Sequence, residues 1–342
     1  MKKTRSAIRI PMPLRYLINL VLILALWFVL YTLIQNGTIT NYWSGILITV
    51  GINIILATSL NVATGYLGQL PLGHAGFMAV GAYAGGIFMK AVPVQELLKS
   101  GNTGAAIPYI LLALLISAVV AGIFGILIGI PALRLRGDYL AIVTLGFGEI
   151  IKALANNIYL TLDKYGLHFS FASAVSGTDS ETSKIILEGA KGIKAPQDTN
   201  LILVVVVLMI CMVILMNFIN SRTGRACMAV RDNYIAAQSV GINVTKFRLI
   251  AFTVSAAIAG VAGVLYAHSL TVLAPKKFDY NLSILILVFV VLGGLGSLRG
   301  SVIATIVLYA LPEIFRELGD FRMLIYAIVL ILMLIFNYSP SF

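Results

Sequence analysis

The sequence predicts an all-α integral membrane protein that folds as a single transmembrane domain over residues 1–342. Of these 342 residues, 60% are hydrophobic and only 11% are charged, whereas ordinary soluble domains carry about 25% charged residues. Apolar runs near the roughly 20 residues that a helix needs to cross a bilayer recur along nearly the whole chain. They leave no room for a separate soluble domain.

About ten membrane-spanning helices are predicted from these runs. Their bounds are 17–34, 44–63, 70–89, 107–131, 139–158, 200–219, 247–268, 281–297, 300–314 and 322–337. The third run is rich in glycine and alanine, and the fifth contains Glu149 and Lys152. Either of these two spans can therefore be broken or partly re-entrant.

The basic residues predict the orientation of the chain. Residues 1–16 are basic and precede an apolar run that lacks a small-x-small cleavage site, so this run is predicted to be a retained first helix. Placing residues 1–16 in the cytoplasm puts Arg134, Arg299 and the arginines of residues 221–246 on the same side, as the positive-inside rule requires. Both termini are then cytoplasmic, and the outer segment, residues 159–196, lies outside. The net charge of +11 follows from this topology, and no interleaved basic and aromatic face points to nucleic acid.

The segment after the second span is interrupted by glycine and proline and contains two polar side chains. Its candidate pathway residues are Gly65, Gly68, Gln69, Gly73 and His74. Helix breaks are tolerated within a membrane only where protein or a water-filled cavity covers them, and the freed backbone groups line substrate sites in transporters. The alternative is that the glycines allow close helix packing and that His74 is a packing residue.

A related glycine pattern returns near the C-terminus. Leu67-Gly-Gln-Leu and Leu295-Gly-Ser-Leu both follow an inward span and precede an outward one. The match fits a duplicated transporter core. It also fits two independent glycine-rich helix junctions, because four residues carry little information.

The fifth span adds Thr144 and Glu149 to the candidate pathway residues. Acidic side chains within a membrane span are rare unless they serve a function. Glu149 and Lys152 lie three positions apart on one helical face, so they can also form an ion pair with no role in transport. A pathway or gating role and a structural pair both remain open.

Residues 221–246 form a connection far longer than a simple turn requires. Asp232 or Asn233 can cap a short helix over residues 231–241, and Gly241 can end it in a left-handed turn. Such a helix suits a docking surface for a partner, or it lies on lipid headgroups with its arginines against phosphate.

Several chemistries are excluded by the sequence. It contains no Gly-x-x-x-x-Gly-Lys-Ser/Thr loop, no His-Glu-x-x-His and no Gly-x-Ser-x-Gly, so the chain is not expected to be an enzyme or to hydrolyse ATP. Cys211 lies in an apolar run and Cys227 in the basic connection. Neither a disulfide between them nor a metal site is predicted.

Four stretches resemble the larger membrane permease subunit of bacterial ABC importers for branched-chain amino acids, a family that also includes urea and amide permeases. They are Gly65-Tyr-Leu-Gly-Gln-Leu with Leu72-Gly-His-Ala-Gly-Phe, residues 133–149, residues 224–243 and Val290-Val-Leu-Gly-Gly-Leu-Gly-Ser-Leu. The resemblance covers most of the chain. Two features depart from it: the outer segment is longer than in relatives, and Asn337-Tyr-Ser-Pro-Ser replaces the usual Arg-Pro-Glu-Gly.

The resemblance implies that residues 221–246 are the coupling loop, which seats in a cleft of an ATP-binding subunit. Ala236, Ala237 and Gly241 match the coupling motif, and Arg231 and Asp232 precede it. Ile235 stands where the motif usually has an acid, so we expect Asp232 to be the nearest candidate for the polar contact.

The family also implies the partners and the location. These are a second homologous permease, two ATPase subunits, an extracytoplasmic binding protein and membrane lipid, in the bacterial cytoplasmic (inner) membrane. This chain would bind no cofactor itself, and ATP and Mg²⁺ would be used by the ATPases. The expected function is passage of leucine, isoleucine and valine. The alternatives are urea, amides or other small amino acids, an ion-coupled carrier that uses Glu149 and Lys152, and a non-transporting scaffold.

Overall fold

The computed structural model describes residues 32, 41–92, 103–135, 137–163, 166–171, 184–194, 199–315 and 321–338. Within these ranges the chain is mostly helical. The eleven α-helices are α1 (Asn41–Asn61), α2 (His74–Ala91), α3 (Thr103–Ala132), α4 (Asp138–Asn157), α5 (Leu201–Asn220), α6 (Arg222–Asp232), α7 (Tyr234–Ser239), α8 (Val244–Ser269), α9 (Tyr280–Gly293), α10 (Leu298–Ile314) and α11 (Phe321–Tyr338). The predicted helical class is confirmed in this coarse sense.

Five helices in the described part of the chain are long and apolar enough to cross a membrane. They are Tyr42–Tyr66, Ala106–Ala132, Tyr139–Asn157, Leu201–Asn220 and Val244–Ser269, and they match five predicted spans. The span predicted at 17–34 lies outside the described residues. The remaining four correspond to α2, α9, α10 and α11; α9 has 14 residues and α10 has 17, which at 1.5 Å per residue fall short of a 30 Å hydrocarbon core. The count of ten spans is therefore not established.

Helix α8 is the centre of the bundle and packs against α1, α2 and α3. Small residues let these helices approach closely: a Cβ on Gly81 would collide with the backbone of Gly260. Ser117 on α3 donates to the carbonyl oxygens of both Gly81 and Gly260, and the second of these bonds is 3.2 Å long. Three helices are thus joined at one point, as the small-residue packing of membrane helices allows.

The second predicted span does not pass directly into the third. Helix α1 continues into a π-helical turn, Val62–Tyr66, and regular structure resumes only at His74. Gly68 within this interval has a φ of +76°, a left-handed conformation that glycine adopts without strain. The interruption predicted from the glycines and Pro71 is therefore present. The expected breaks within the third and fifth spans are not, because α2 and α4 are continuous helices.

The expectation of an all-α fold is wrong for the outer segment. The strands are β1 (Ile158–Asp163), β2 (Gly166–Phe171), β3 (Lys184–Glu188), β4 (Ile193–Lys194) and β5 (Val272–Leu273). The first three form an antiparallel sheet in the order β2-β1-β3. Apolar residues alternate along Ile-Tyr-Leu-Thr-Leu in β1, which is the period of a strand and not of a helix.

Two contacts attach the outer segment to the rest of the fold, and a third holds its partner strand β5. Strand β4 pairs with β5, which follows α8. The Lys90 Nζ donates to the carbonyl oxygen of Ile186 at 2.9 Å, and the Tyr83 hydroxyl donates to that of Leu273 at 3.2 Å. The single helix α5 connects the outer segment to residues 221–246. These two segments therefore lie at opposite ends of the bundle.

Candidate transport and coupling site

Residues 221–246, the predicted coupling loop, contain two helices: α7 is the helix predicted within residues 231–241, and α6 precedes it. Helix α6 ends at Asp232 because Asn233 is extended (φ −156°, ψ 105°). The Asn233 Oδ1 then accepts hydrogen bonds from the backbone N–H groups of Ile235 and Ala236, at 3.0 and 3.1 Å, and so caps α7. Gly241 follows α7 with a φ of +86°. Of the two predicted caps, Asn233 is the one used.

Helix α7 presents apolar side chains to its surroundings. Ile235 is 63% exposed and Val240 is 75% exposed, whereas Ala237 is only 4% exposed. Ala236 is exposed as well. The alanine pair is therefore divided, with Ala237 turned into the protein and Ala236 turned outward beside Ile235.

Arg231 and Asp232 form an ion pair at the end of α6. The Arg231 Nη2 lies 2.9 Å from Asp232 Oδ1, and the Asp232 side chain is 67% exposed. The Arg231 Nη1 also donates to the carbonyl oxygen of Gly65 at 2.8 Å, across 166 positions of sequence. Arg231 thus joins the coupling loop to the glycine-broken segment.

The two glycine patterns of the sequence meet beside Arg231. A Cβ on Gly65 would collide with the backbone of Gly296, so the two turns are in direct contact. Asn61 holds them together: its Oδ1 accepts from the Gly296 N–H at 2.9 Å, and its Nδ2 donates to Ser297 O at 3.0 Å and to Ser301 Oγ at 2.8 Å. Asn61 is fully buried.

Sequence reasoning gave Asn61 and Gly296 no role in the site. The available signal was Asn61 itself, a polar residue at the end of an apolar span, since such residues within membranes usually have a partner or a function. The pairing of the two glycine turns could not be read from the sequence, because it depends on how α1 and α10 pack.

A second group of predicted residues surrounds the start of α2. The Thr144 Oγ1 accepts from the Leu72 N–H at 3.0 Å, and a Cβ on Gly73 would collide with the Thr144 carbonyl. The Ser283 Oγ accepts from the Ala75 N–H at 3.0 Å. Residues from α4 and α9 therefore satisfy backbone donors that the helix start leaves without intrahelical partners.

His74 is buried and bonded to a serine. Its Nε2 lies 2.8 Å from Ser59 Oγ, and that hydroxyl donates its own hydrogen to the Leu56 carbonyl at 2.8 Å. The ring nitrogen is therefore the donor in the pair with Ser59. The ring also packs edge-on against Phe77, 6.5 Å between centroids. These contacts fit the packing alternative for His74.

Gln69 is half-buried beside Gly68. Its backbone N–H donates to the Ala63 carbonyl at 3.0 Å. Its side-chain Oε1 is buried and has no hydrogen-bond partner among the described residues. Gln69 is a predicted pathway residue whose side-chain oxygen lacks a hydrogen-bond donor. Burying such an oxygen costs free energy unless another group donates to it.

Glu149 and Lys152 form the predicted ion pair. The Lys152 Nζ lies 3.0 Å from Glu149 Oε2, and the lysine and glutamate side chains are 23% and 40% exposed, respectively. The space between Gly73, Glu149 and Ser283 measures only about 10 Å³, room for roughly one water molecule. An amino acid does not fit there in this conformation.

Two larger cavities lie at the end of the bundle that carries the coupling loop. One of about 630 Å³ separates α5 from the start of α10 and is lined by Tyr66, Met209, Met212, Met216, Ser297 and Arg299, among others. Another of about 570 Å³ lies beside α7 and is lined by Arg134, Tyr234, Gln238, Asn243 and Arg248, among others. The first is of a size typical for small-molecule sites.

The described residues contain no cluster of three or more His, Cys, Asp or Glu side chains that could hold a metal ion. Cys211 and Cys227 are buried free thiols. Burial raises the pKa of the Cys227 thiol to about 11, so at neutral pH this residue of α6 is protonated and a weak nucleophile.

Comparison with known proteins agrees with the resemblance seen in the sequence. The family described as "Branched-chain amino acid transport system / permease component" matches residues 42–336. The high-affinity branched-chain amino acid transport system permease protein LivM of Salmonella typhimurium is 36% identical over 304 residues, which cover 84% of this chain and 66% of that protein. The probable LivM of Methanocaldococcus jannaschii is 24% identical over 80% of this chain and 82% of its own length.

A second type of permease matches a shorter region. LivH of Escherichia coli K12 is 35% identical over 88 residues, or 26% of this chain and 28% of that protein. The much wider match to LivM confirms the resemblance to the larger permease subunit. The match spans slightly less than two thirds of the length of the Salmonella relative. No solved structure matches the chain. With its apolar helices and a family match over residues 42–336, the chain belongs to the permease components of branched-chain amino acid transport systems.

Proposed function

We propose that this chain is a permease subunit of an ATP-binding-cassette importer and forms the pathway for leucine, isoleucine and valine together with a second permease. The observation that carries the proposal is the coupling loop. Its helix α7 is capped by Asn233 and exposes Ile235, and the exposed Val240 and the left-handed Gly241 follow the helix. Exposed apolar residues on an ordered helix outside the membrane spans are typical of a surface that a partner covers.

The partner at this surface is an ATPase subunit on the cytoplasmic side of a bacterial inner membrane. The chain lacks a phosphate-binding loop, so the energy of ATP must enter through another protein. The cleft of about 570 Å³ beside α7 offers Arg134 and Arg248 to acidic groups of that partner. In this proposal Ile235 contributes an apolar contact where other family members use an acid, and Asp232, paired with Arg231, remains exposed for a polar one.

The pathway lies between two permeases instead of within this chain. Support comes from the space of about 10 Å³ at Gly73, Glu149 and Ser283, which holds no amino acid, and from the match of a second permease type, LivH, to part of the sequence. The methionine-lined cavity between α5 and α10 suits branched aliphatic side chains, because methionine adapts its shape to varied apolar ligands. An extracytoplasmic binding protein would deliver the substrate.

Reconstitution in proteoliposomes tests the proposal. The chain is co-expressed with the second permease, the two ATPases and the binding protein from the same genome, and uptake of radiolabelled leucine is measured with and without ATP. We expect uptake that requires ATP and all partners. Leucine uptake that persists without the ATPases and collapses with the ion gradient would instead identify a carrier, and uptake of urea but not leucine would select the urea and amide alternative.

A further inference from the structure

The family resemblance places Arg231 beside the contact with the ATPase, but that role does not explain where its side chain lies. Its guanidinium points back into the permease and donates to the Gly65 carbonyl at 2.8 Å. A Cβ on Gly296 would lie 3.4 Å from the Arg231 Nη1. The guanidinium therefore stands where the two glycine turns meet.

The chemistry of this position follows from the end of α1. The last carbonyl groups of a helix have no intrahelical donors, and they carry the partial negative charge of the helix dipole. Gly65 lies in the terminal π-helical turn, so its carbonyl attracts a cation. Arg231 supplies that cation from a different helix, α6.

Glycine at position 68 makes the approach possible. A Cβ there would lie 2.7 Å from Arg231 Cγ, so any side chain would push the arginine away. Gly68 also has a φ of +76°, which favours glycine independently of the contact.

Arg231 is held at its other edge by Asp232. The Nε and Nη2 atoms donate to Asp232 Oδ1 at 3.0 and 2.9 Å. The planar guanidinium is thus fixed between the carboxylate on α6 and the carbonyl of α1, a geometry that arginine provides and lysine does not.

We propose that Arg231 is a positioning residue that transmits movement of the coupling loop to the pathway helices, and that it is not itself a contact with the ATPase. The proposal rests on the function proposed above. When α6 moves, Arg231 displaces the Gly65 turn, and through Asn61 the Gly296 turn moves with it. Four helices end or begin at these two turns, namely α1, α2, α9 and α10.

The test compares Arg231→Ala with Arg225→Ala in the complete transporter. Arg225 is the matched control, because it lies on the same helix and, among the described residues, its Nη1 donates to the nearby Asn220 carbonyl at 2.7 Å. Three quantities are measured for each variant: ATPase subunits that copurify, ATP hydrolysis, and leucine uptake.

We expect Arg231→Ala to retain the ATPases and to hydrolyse ATP within about twofold of the native rate, while uptake falls about tenfold or more, within the usual range of coupling between distant sites. Arg231→Lys should restore part of the uptake, since one ammonium can reach the Gly65 carbonyl but cannot also hold Asp232 in the same way. In Arg225→Ala the bond between Arg231 and Gly65 is intact, so uptake should fall no further than ATPase copurification does. Loss of ATPase copurification in Arg231→Ala, or unchanged uptake, would overturn the proposal.

A measurement on the permease alone separates this proposal from the transport function. Hydrogen exchange of residues 65–69 and 294–300 should accelerate in both Arg231→Ala and Gly68→Ala, and not in Arg225→Ala. Unchanged exchange at both turns would exclude the link even if transport were confirmed. If instead the native complex showed no ATP-driven uptake while exchange accelerated as expected, the function would be wrong and the structural link correct.

Discussion

The two long connections on either side of α5 differ in secondary structure and in how they are held. The coupling loop is made of short helices whose ends are capped by its own residues, and it turns Ile235 and Val240 outward. The outer segment is made of strands, and it is attached to the bundle through Lys90 and through the pairing of β4 with β5. Tyr83 in turn holds β5. One connection therefore exposes an apolar surface, whereas the other is held by the chain itself.

The two connections also differ in how their glycines are used. Gly241 follows α7 at a positive φ, and a Cβ added there would meet no other atoms within 4 Å, whereas a Cβ on Gly192 would collide with the Leu273 carbonyl. The first glycine serves only backbone conformation. The second also allows β4 and β5 to come together.

The largest effect is expected from removing the polar anchor at the inner end. Asn61→Leu leaves the Gly296 N–H without its partner, whereas the Ser301 hydroxyl still donates to the Ser297 carbonyl. One unsatisfied buried group at about 1–3 kcal/mol and two lost hydrogen bonds at about 1 kcal/mol each give an expected loss of about 4 kcal/mol of stability. The matched change at the outer anchor is Tyr83→Phe, which releases one carbonyl and should cost about 1 kcal/mol. Thermal unfolding in detergent measures both, and equal losses would contradict the stronger anchoring of the inner end.

The next largest loss of stability is expected from substituting the two glycines, Gly192 and Gly241. Gly192→Ala combines a positive φ with a backbone collision and should cost about 3 kcal/mol, whereas Gly241→Ala meets only the conformational strain and should cost about 1 kcal/mol. Gly146→Ala is the control, because Gly146 lies within α4 in open space and alanine favours helix. The same unfolding assay ranks the three variants, and a larger loss for Gly241→Ala than for Gly192→Ala would refute the distinction.

Substituting exposed apolar residues in the coupling loop and in the outer segment tests which of the two binds the ATPase. The double variant Ile235→Glu with Val240→Glu should reduce ATPase copurification and uptake about tenfold, the equivalent of ~1.4 kcal/mol of binding. Phe169→Ser with Phe171→Ser is the outer counterpart, because both rings are more than half exposed on β2. It should leave copurification unchanged. Loss of the ATPases in the Phe169 and Phe171 variant, or their full retention in the Ile235 and Val240 variant, would contradict the assignment of the coupling loop.

The smallest effect is expected at the ion pair in α4. Glu149→Gln removes a partly exposed pair three residues apart, worth less than about 1 kcal/mol, and should leave ATP-driven uptake within about twofold of the native value. Lys152→Gln serves as the partner control. If Glu149→Gln abolished uptake while the ATPases still bound, Glu149 would belong to the pathway and the carrier alternative would regain support.

Local patterns predicted those parts of the fold that depend on neighbouring residues. Apolar runs predicted five helices that are long and apolar enough to cross a membrane. Gly241 predicted the left-handed turn, and the spacing of Glu149 and Lys152 predicted their ion pair. The strands of the outer segment escaped prediction because its composition marks it only as a long polar connection, although β1 alternates apolar residues with the period of a strand. The helix predicted within residues 231–241 is present as α7, and a separate helix, α6, precedes it, because Asn233 ends α6 and caps α7.

Sequence alone determined the membrane class of this protein, the position of its helix breaks and its family, because each depends on composition or on the order of adjacent residues. Only the tertiary structure decided that the two glycine turns touch, that Asn61 joins them and that Arg231 reaches Gly65 across 166 positions. These contacts connect elements far apart in the chain. They depend on the packing of α1, α6 and α10, which no local pattern encodes.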